Sequence, residues 1–193
     1  MLTNVSSLGA QRNLAKTNSA VAQNISRLSS GMRINRSADD AAGLAITSKM
    51  SAHIRGLSQA ERNANDAVSL IQTAEGALNE IGGLLNRMRE LAVQSSTGGT
   101  LVASDLSALD QEFQALESEI DRIVNVTKYN GQSLLNGALS GGVNFQVGIL
   151  NSGNDRVSVK LSTALSSSLG IGTSSLTTAT HSQLAITAID SAI

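Results

Sequence analysis

Apolar residues recur at alternating three- and four-residue steps through the middle of the chain: Leu57, Ala60, Ala64, Ala67, Ile71, Ala74, Leu78, Ile81, Leu85, Met88 and Ala92. This is an a/d heptad seam, and it predicts one long helix that packs along its length against other helices. A second run, Leu106, Leu109, Phe113, Leu116, Ile120 and Ile123, steps the same way and predicts a shorter helix lying back along the first. Between them lies Ser95-Ser96-Thr97-Gly98-Gly99-Thr100, where glycine can close one helix, and Ser104 is expected to cap the next. Residues 37–127 therefore read as an antiparallel helical hairpin.

Ser37 is the expected cap of the long helix, with Asp39 and Asp40 placed to favour the positive end of its dipole. A helix from there to Ser95 would be on the order of 85 Å long at about 1.5 Å per residue. Gly76 and Gly82-Gly83 weaken it, each by roughly 1 kcal/mol against Ala, so neighbouring helices must hold those turns. Upstream, Leu8, Leu14, Val21, Ile25 and Leu28 mark a thin apolar stripe on a polar stretch. Residues 1–36 read as a separate terminal helix segment that is marginal by itself and needs packing with other helices to stay folded.

After Asn125 the period drops to two. Val143, Phe145, Val147 and Ile149 alternate with polar or small residues, and Val157, Val159 and Leu161 do so beyond the turn-rich Asn151-Ser152-Gly153-Asn154-Asp155. One β-hairpin within residues 128–177 is predicted, followed by a Ser/Thr/Gly-rich loop with little pattern. Ser182, Ile186, Ile189 and Ile193 then restart a helical stripe, so residues 178–193 read as the start of a return helix that is cut short. The fold class is mainly α, a long antiparallel coiled-coil hairpin with one small β-hairpin.

Composition narrows the function. Aromatics are 2% of residues and there is no Pro or Trp, so a conventional globular core would be short of large side chains. Fourteen basic residues against 15 acidic ones, with no basic-aromatic patch, leave nucleic-acid binding without support. No apolar run approaches the ~18 residues a membrane span needs, and Met1 to Ser7 has neither the cationic start nor the apolar middle of a secretory signal. The absence of Cys rules out disulfides and thiolate metal sites. His53 and His181 stand without carboxylates at ligand spacing, and Asp39-Asp40 is explained by helix-start charge, so no catalytic residue, cofactor site or metal site is expected.

Several motifs resemble bacterial flagellins. Ser26-Arg27-Leu28-Ser29-Ser30-Gly31-Met32-Arg33-Ile34-Asn35 and Ala38-Asp39-Asp40-Ala41-Ala42-Gly43-Leu44-Ala45-Ile46 look like the family's amino-terminal signature. Gly56-Leu57-Ser58-Gln59-Ala60, Thr73-Ala74-Glu75-Gly76-Ala77-Leu78-Asn79-Glu80-Ile81, Arg89-Glu90-Leu91-Ala92-Val93-Gln94-Ser95 and Tyr129-Asn130-Gly131 follow in family order, covering roughly residues 1–150. Hook–filament junction proteins share the helical plan but differ at Asn35-Arg36-Ser37-Ala38-Asp39-Asp40.

The resemblance implies a structural subunit of the extracellular flagellar filament. It would polymerise with other flagellin subunits through a seam that includes Leu57, Ile71, Leu78, Ile81, Leu85 and Met88. It also implies type III export with an export apparatus and chaperone, and a carboxyl-terminal flagellin helix, missing from this sequence, as the partner of the seam. In flagellins read by Toll-like receptor 5, a basic residue before the Arg-Glu-Leu-Ala motif, its Leu and a Glu on the next helix make the contact; here these are Arg87, Leu91 and Glu112. The competing reading is a coiled-coil secretion or adaptor protein that does not polymerise.

Overall fold

The computed structural model describes residues 4–97 and 101–193. Gly98, Gly99 and Thr100, on which the expected inter-helix turn falls, lie outside the described residues. Two compact units are present, residues 1–57 and residues 58–193.

In the first unit, α1 spans Val5–Ser30, capped by Asn4 Oδ1, which accepts the Ser7 amide at 3.2 Å, and closed by Gly31 in the left-handed conformation. The second helix, α2, spans Ala41–Ser95, so it begins four residues later than Ser37. The cap is Asp40, whose Oδ1 accepts the Gly43 amide at 2.8 Å. Gly43 is required there, because a Cβ would collide with the Asp40 carboxylate and with Ile34 Cδ1.

Asp39 also departs from the expectation of a helix-start charge. Its carboxylate accepts the amides of Asn35 at 3.3 Å and Arg36 at 3.2 Å, Arg27 Nη2 at 3.2 Å, and the Gln23 side-chain amide. Asn35 Nδ2 adds bonds to the Ser26 carbonyl and hydroxyl. The carboxylate thus ties the turn after α1 back onto α1. The Gln23 hydrogen bond, followed by that from the Asn35 amide, holds the Asp39 carboxyl below its ordinary pKa.

In the second unit, α2 passes through Gly76, Gly82 and Gly83 without interruption. The third helix, α3, spans Ala103–Val126. Ser104 lies inside its first turn rather than capping it: the N-cap is Val102, whose amide donates to Asp105 Oδ2 at 3.4 Å. Two antiparallel hairpins follow. The first, β1 (Lys128–Tyr129) with β2 (Gln132–Ser133), turns on Asn130 and Gly131, both at positive φ, 49° and 80°. Asn-Gly is the pair that tolerates a two-residue turn of that type. The second hairpin is the expected one: β3 (Val143–Gln146) pairs β4 (Arg156–Val159) with Val143 opposite Val159 and Phe145 opposite Val157. The chain then runs to α4, Ala179–Ala192.

The core belongs to this unit. Met88, Leu91, Phe113, Ile120, Leu134, Ile171, Leu176 and Ile189 are all buried in one cluster joining α2, α3, α4 and the segments between. The low-pattern Ser/Thr/Gly stretch is fastened to α3 by α3's own polar residues. Asp121 accepts the Ser166 amide at 2.8 Å and its hydroxyl at 2.9 Å, Asp110 accepts the Leu176 amide at 2.6 Å, and Gln114 donates to the Ser174 carbonyl at 3.0 Å. These bonds satisfy backbone groups that burial of Ile171 and Leu176 would otherwise strand.

Candidate assembly and recognition surface

The heptad seam of α2 serves two environments. Ile81, Leu85 and Met88 are buried within the chain's own core, at 3%, 3% and 0% exposure. Leu57, Ile71 and Leu78 are exposed, at 53%, 41% and 44%. One heptad position, Ala60, Ala67, Ala74, Ile81 and Met88, stays inward throughout. Upstream of Ile81 the other position turns outward, and Leu70 takes the place of Ile71 inside.

Two physical causes combine. A straight helix drifts by about 20° per heptad, so a strict seven-residue pattern cannot keep both positions on one face without supercoiling. The partners of α2 also change along its length. Near its end it meets α4, through Arg89 Nε to Asp190 Oδ1 at 2.7 Å and the buried hydroxyls of Ser95 and Ser182 at 2.8 Å. Farther back it meets the hairpins, through Asn63 Nδ2 donating to the Gln146 carbonyl at 2.9 Å and an open groove lined by Leu70, Tyr129, Val143 and Phe145. Ile71, Leu78 and the neighbouring Val68 are left as an apolar strip facing outward.

The three residues of the expected recognition ridge are placed differently from one another. Arg87 Nη2 meets Glu112 Oε1 at 2.8 Å across the two helices, both side chains half-exposed, and Arg87 Nη1 meets the more exposed Glu90 at 2.9 Å. The pair falls eight residues before the end of α2 and nine after the start of α3, as antiparallel helices require. The Glu112 hydrogen bond is the main reason that the Arg87 guanidinium is held above its ordinary pKa. Leu91 does not stand beside this pair as an accessible anchor: it is 1% exposed. It packs in the core cluster with Met88 and Ala92.

Sequence reasoning missed the contacts that seat α4. Of the stripe Ser182, Ile186, Ile189 and Ile193, Ser182 and Ile189 are buried, together with Ala185, while Ile186 is half-buried and Ile193 is 67% exposed. Ser182 Oγ donates to the Thr178 carbonyl at 3.0 Å, which leaves it free to accept from Ser95. A buried Ser at both Ser95 and Ser182 is a signal that only the pairing of the two helices reveals. Among the described residues there is no group of three or more His, Asp or Glu positioned to hold a metal, and no helix is long and apolar enough to cross a membrane.

Residues 1–140 match the family described as the bacterial flagellin N-terminal helical region. The chain belongs to the bacterial flagellin family. It is 49% identical over 191 residues to a flagellin of Halalkalibacterium halodurans, covering 97% of this chain and 68% of that one. It is 45% identical over 169 residues to a flagellin of Escherichia coli, covering 88% of this chain and 33% of that one. The crystal structure of Bacillus cereus flagellin superposes with a TM-score of 0.58 at 34% identity, covering 68% of this chain and 74% of that one. Apart from the Halalkalibacterium protein, the chain spans a third to a half of the length of these curated flagellins. Flagellins are structural proteins, which agrees with a surface organised for packing.

Proposed function

We propose that the chain is a structural subunit of the bacterial flagellar filament and serves motility. The observation that carries this reading is the division of α2 within residues 58–193, whose seam is half consumed by the chain's own core and half presented as an outward apolar strip at Ile71 and Leu78. Apolar surface of that kind, on a helix already stabilised by its own unit, fits burial against further helices, and heterologous contacts that do not close generate open helical filaments. The family match supports the filament over a hook–filament junction protein or a non-polymerising adaptor. Delivery to the cell exterior by type III export, with a chaperone, accompanies this reading.

Engagement of Toll-like receptor 5 is a further part of the proposal and rests on the Arg87–Glu112 pair alone, since Leu91 reaches a receptor only if the core around Met88 opens. Arg87→Ala should therefore weaken binding to the purified receptor ectodomain, and an unchanged affinity removes that part. The filament reading is tested by electron microscopy of the protein after seeding with flagellar filament fragments. Elongation supports it. Monomers that persist beside unextended seeds contradict it.

A further inference from the structure

Asn-Gly occurs twice in the chain, at Asn130-Gly131 and at Asn136-Gly137. Both asparagines are exposed, yet their settings differ. Asn130 sits in the two-residue turn of the β1–β2 hairpin, where the pairing of Tyr129 with Gln132 fixes the backbone on either side. Asn136 lies in the irregular segment between β2 and β3, and its Oδ1 accepts the Ala138 amide at 3.1 Å. Gly137 follows at a φ of 91°, and among the described residues its own amide has no backbone acceptor. Two other asparagines precede residues with a Cβ and have engaged side chains: Asn125 Nδ2 donates to the Asp121 carbonyl, and Asn151 Oδ1 accepts from Arg156.

An asparagine carboxamide followed by glycine is open to attack by the next backbone nitrogen, because glycine has no Cβ to crowd that nitrogen or to restrict its rotation. At Asn136 the Gly137 nitrogen, its proton passed to solvent base, bonds to Cγ. Negative charge gathers on Oδ1, where the Ala138 N–H already donates. The Cγ–Nδ2 bond then breaks, water supplies a proton, and ammonia leaves. Water opens the resulting succinimide at Cγ to give aspartate, or at the Asn136 main-chain carbonyl to give isoaspartate. The balance is one water consumed and one ammonia released, with no change of oxidation state.

We propose that Asn136-Gly137 is a self-modification site, which converts to aspartyl and isoaspartyl products through a succinimide while Asn130-Gly131 is held back by its hairpin. The surroundings give the change a structural consequence. Leu135 and Leu139, on either side, are buried at 1% and 2% exposure. The Leu135 carbonyl accepts the Ala164 amide at 2.9 Å, and the Leu139 carbonyl accepts the amides of Gly142 at 2.9 Å and Leu161 at 3.4 Å. A Cβ on Gly137 would meet Thr163 Cβ at 3.4 Å, so the attacking residue packs on the same segment. Isoaspartate adds a methylene to the main chain between these anchors and sets a carboxylate near residues 161–164, which the modified chain holds less firmly. The proposal does not rest on the filament reading, since no step in it needs a second copy.

Ageing the whole purified chain in mildly alkaline heavy-oxygen water, followed by digestion and mass spectrometry, tests it. Asn136 should convert first, with heavy oxygen in both products, and faster as pH rises and the amide anion becomes more available. Asn130 should lag in the folded chain and lose that lag in urea, where the hairpin is gone. Ala138→Pro removes the N–H donor and should slow conversion at Asn136 by about fivefold, the worth of an ordinary hydrogen bond, with Asn130 unaffected. Asn136→Gln, at an exposed position, gives a second reading that does not depend on the loop tolerating proline. After the same ageing, proteolysis within residues 161–164 should be faster in the parent than in that variant. Conversion of Asn130 level with or ahead of Asn136 in the folded chain, no conversion at Asn136, or products there without heavy oxygen would overturn the proposal. Equal rates in the parent and Ala138→Pro would overturn the role of the Ala138 amide, and equal proteolysis of aged parent and Asn136→Gln would overturn the loosening of residues 161–164.

Discussion

Residues 1–57 and residues 58–193 are built from the same helical periodicity, yet among the described residues every buried one lies in the second unit. Leu14, Val21, Ile25 and Leu28 are spaced as well for a helix face as Leu85, Met88 and Ala92, but they are exposed where the latter three are buried in the core of the second unit. Periodicity specifies a face, and burial depends on what the rest of the chain brings to it. The first unit holds its shape through polar groups at its ends and its turn, chiefly Asn4, Asp39 and Asp40. The second holds its shape through a core to which α2, α3, α4 and the loop segments all contribute.

Truncations should separate the two units most sharply. Phe113→Ala removes a fully buried ring and should cost about 3–5 kcal/mol, whereas Leu28→Ala, on an exposed face, should stay within about 0.5 kcal/mol. Denaturant titration of both variants checks this. Asp121→Ala should come next, at about 1–3 kcal/mol, because it leaves the buried Ser166 amide and hydroxyl without their acceptor. Proteolysis of the 163–178 segment should accelerate with it.

The pH responses should be smaller and opposite in sign. Asp39 has a folded pKa below its unfolded 3.8, so the stability it gives the turn is present above that value and is lost as pH falls through the folded pKa. Cleavage within residues 31–40 should therefore rise in acid, and Asp39→Asn should show the same cleavage at neutral pH. Glu117 is raised above 4.5, first by burial and then by the nearby Asp121 charge, against a Ser166 hydrogen bond that lowers it. Its protonated form favours the folded state, and that contribution is lost as pH rises through the folded pKa. Glu117→Gln should slightly stabilise the second unit at neutral pH and flatten the acid side of its pH–stability curve.

Much of this architecture was legible in the sequence because it rests on local rules. The long seam gave α2, the shorter one α3, and the period-two runs gave the hairpin of β3 and β4, though not its register. The Asn130-Gly131 hairpin carried an equally local signal, a turn pair at positive φ, but its two-residue strands are too short to show alternation. Helix starts were misplaced where two candidates competed: Asp40 prevailed over Ser37 because Gly43 admits its carboxylate, and α3 starts ahead of Ser104 because Asp105 reaches back to Val102. The seating of Leu91, the exposure of Ile71 and the burial of the 163–178 stretch were beyond the sequence pattern. Each depends on which segment packs against which, and the carboxylates of Asp110 and Asp121 that decide the last case look like ordinary surface charge on α3.

The claim that α2 divides between an internal core and an outward assembly strip is tested most directly by Ile71→Asp. The variant should melt within a few degrees of the parent, since Ile71 is 41% exposed in the folded chain, and should fail to extend seeded filaments. A variant that extends filaments as well as the parent, or one that unfolds, would contradict the division.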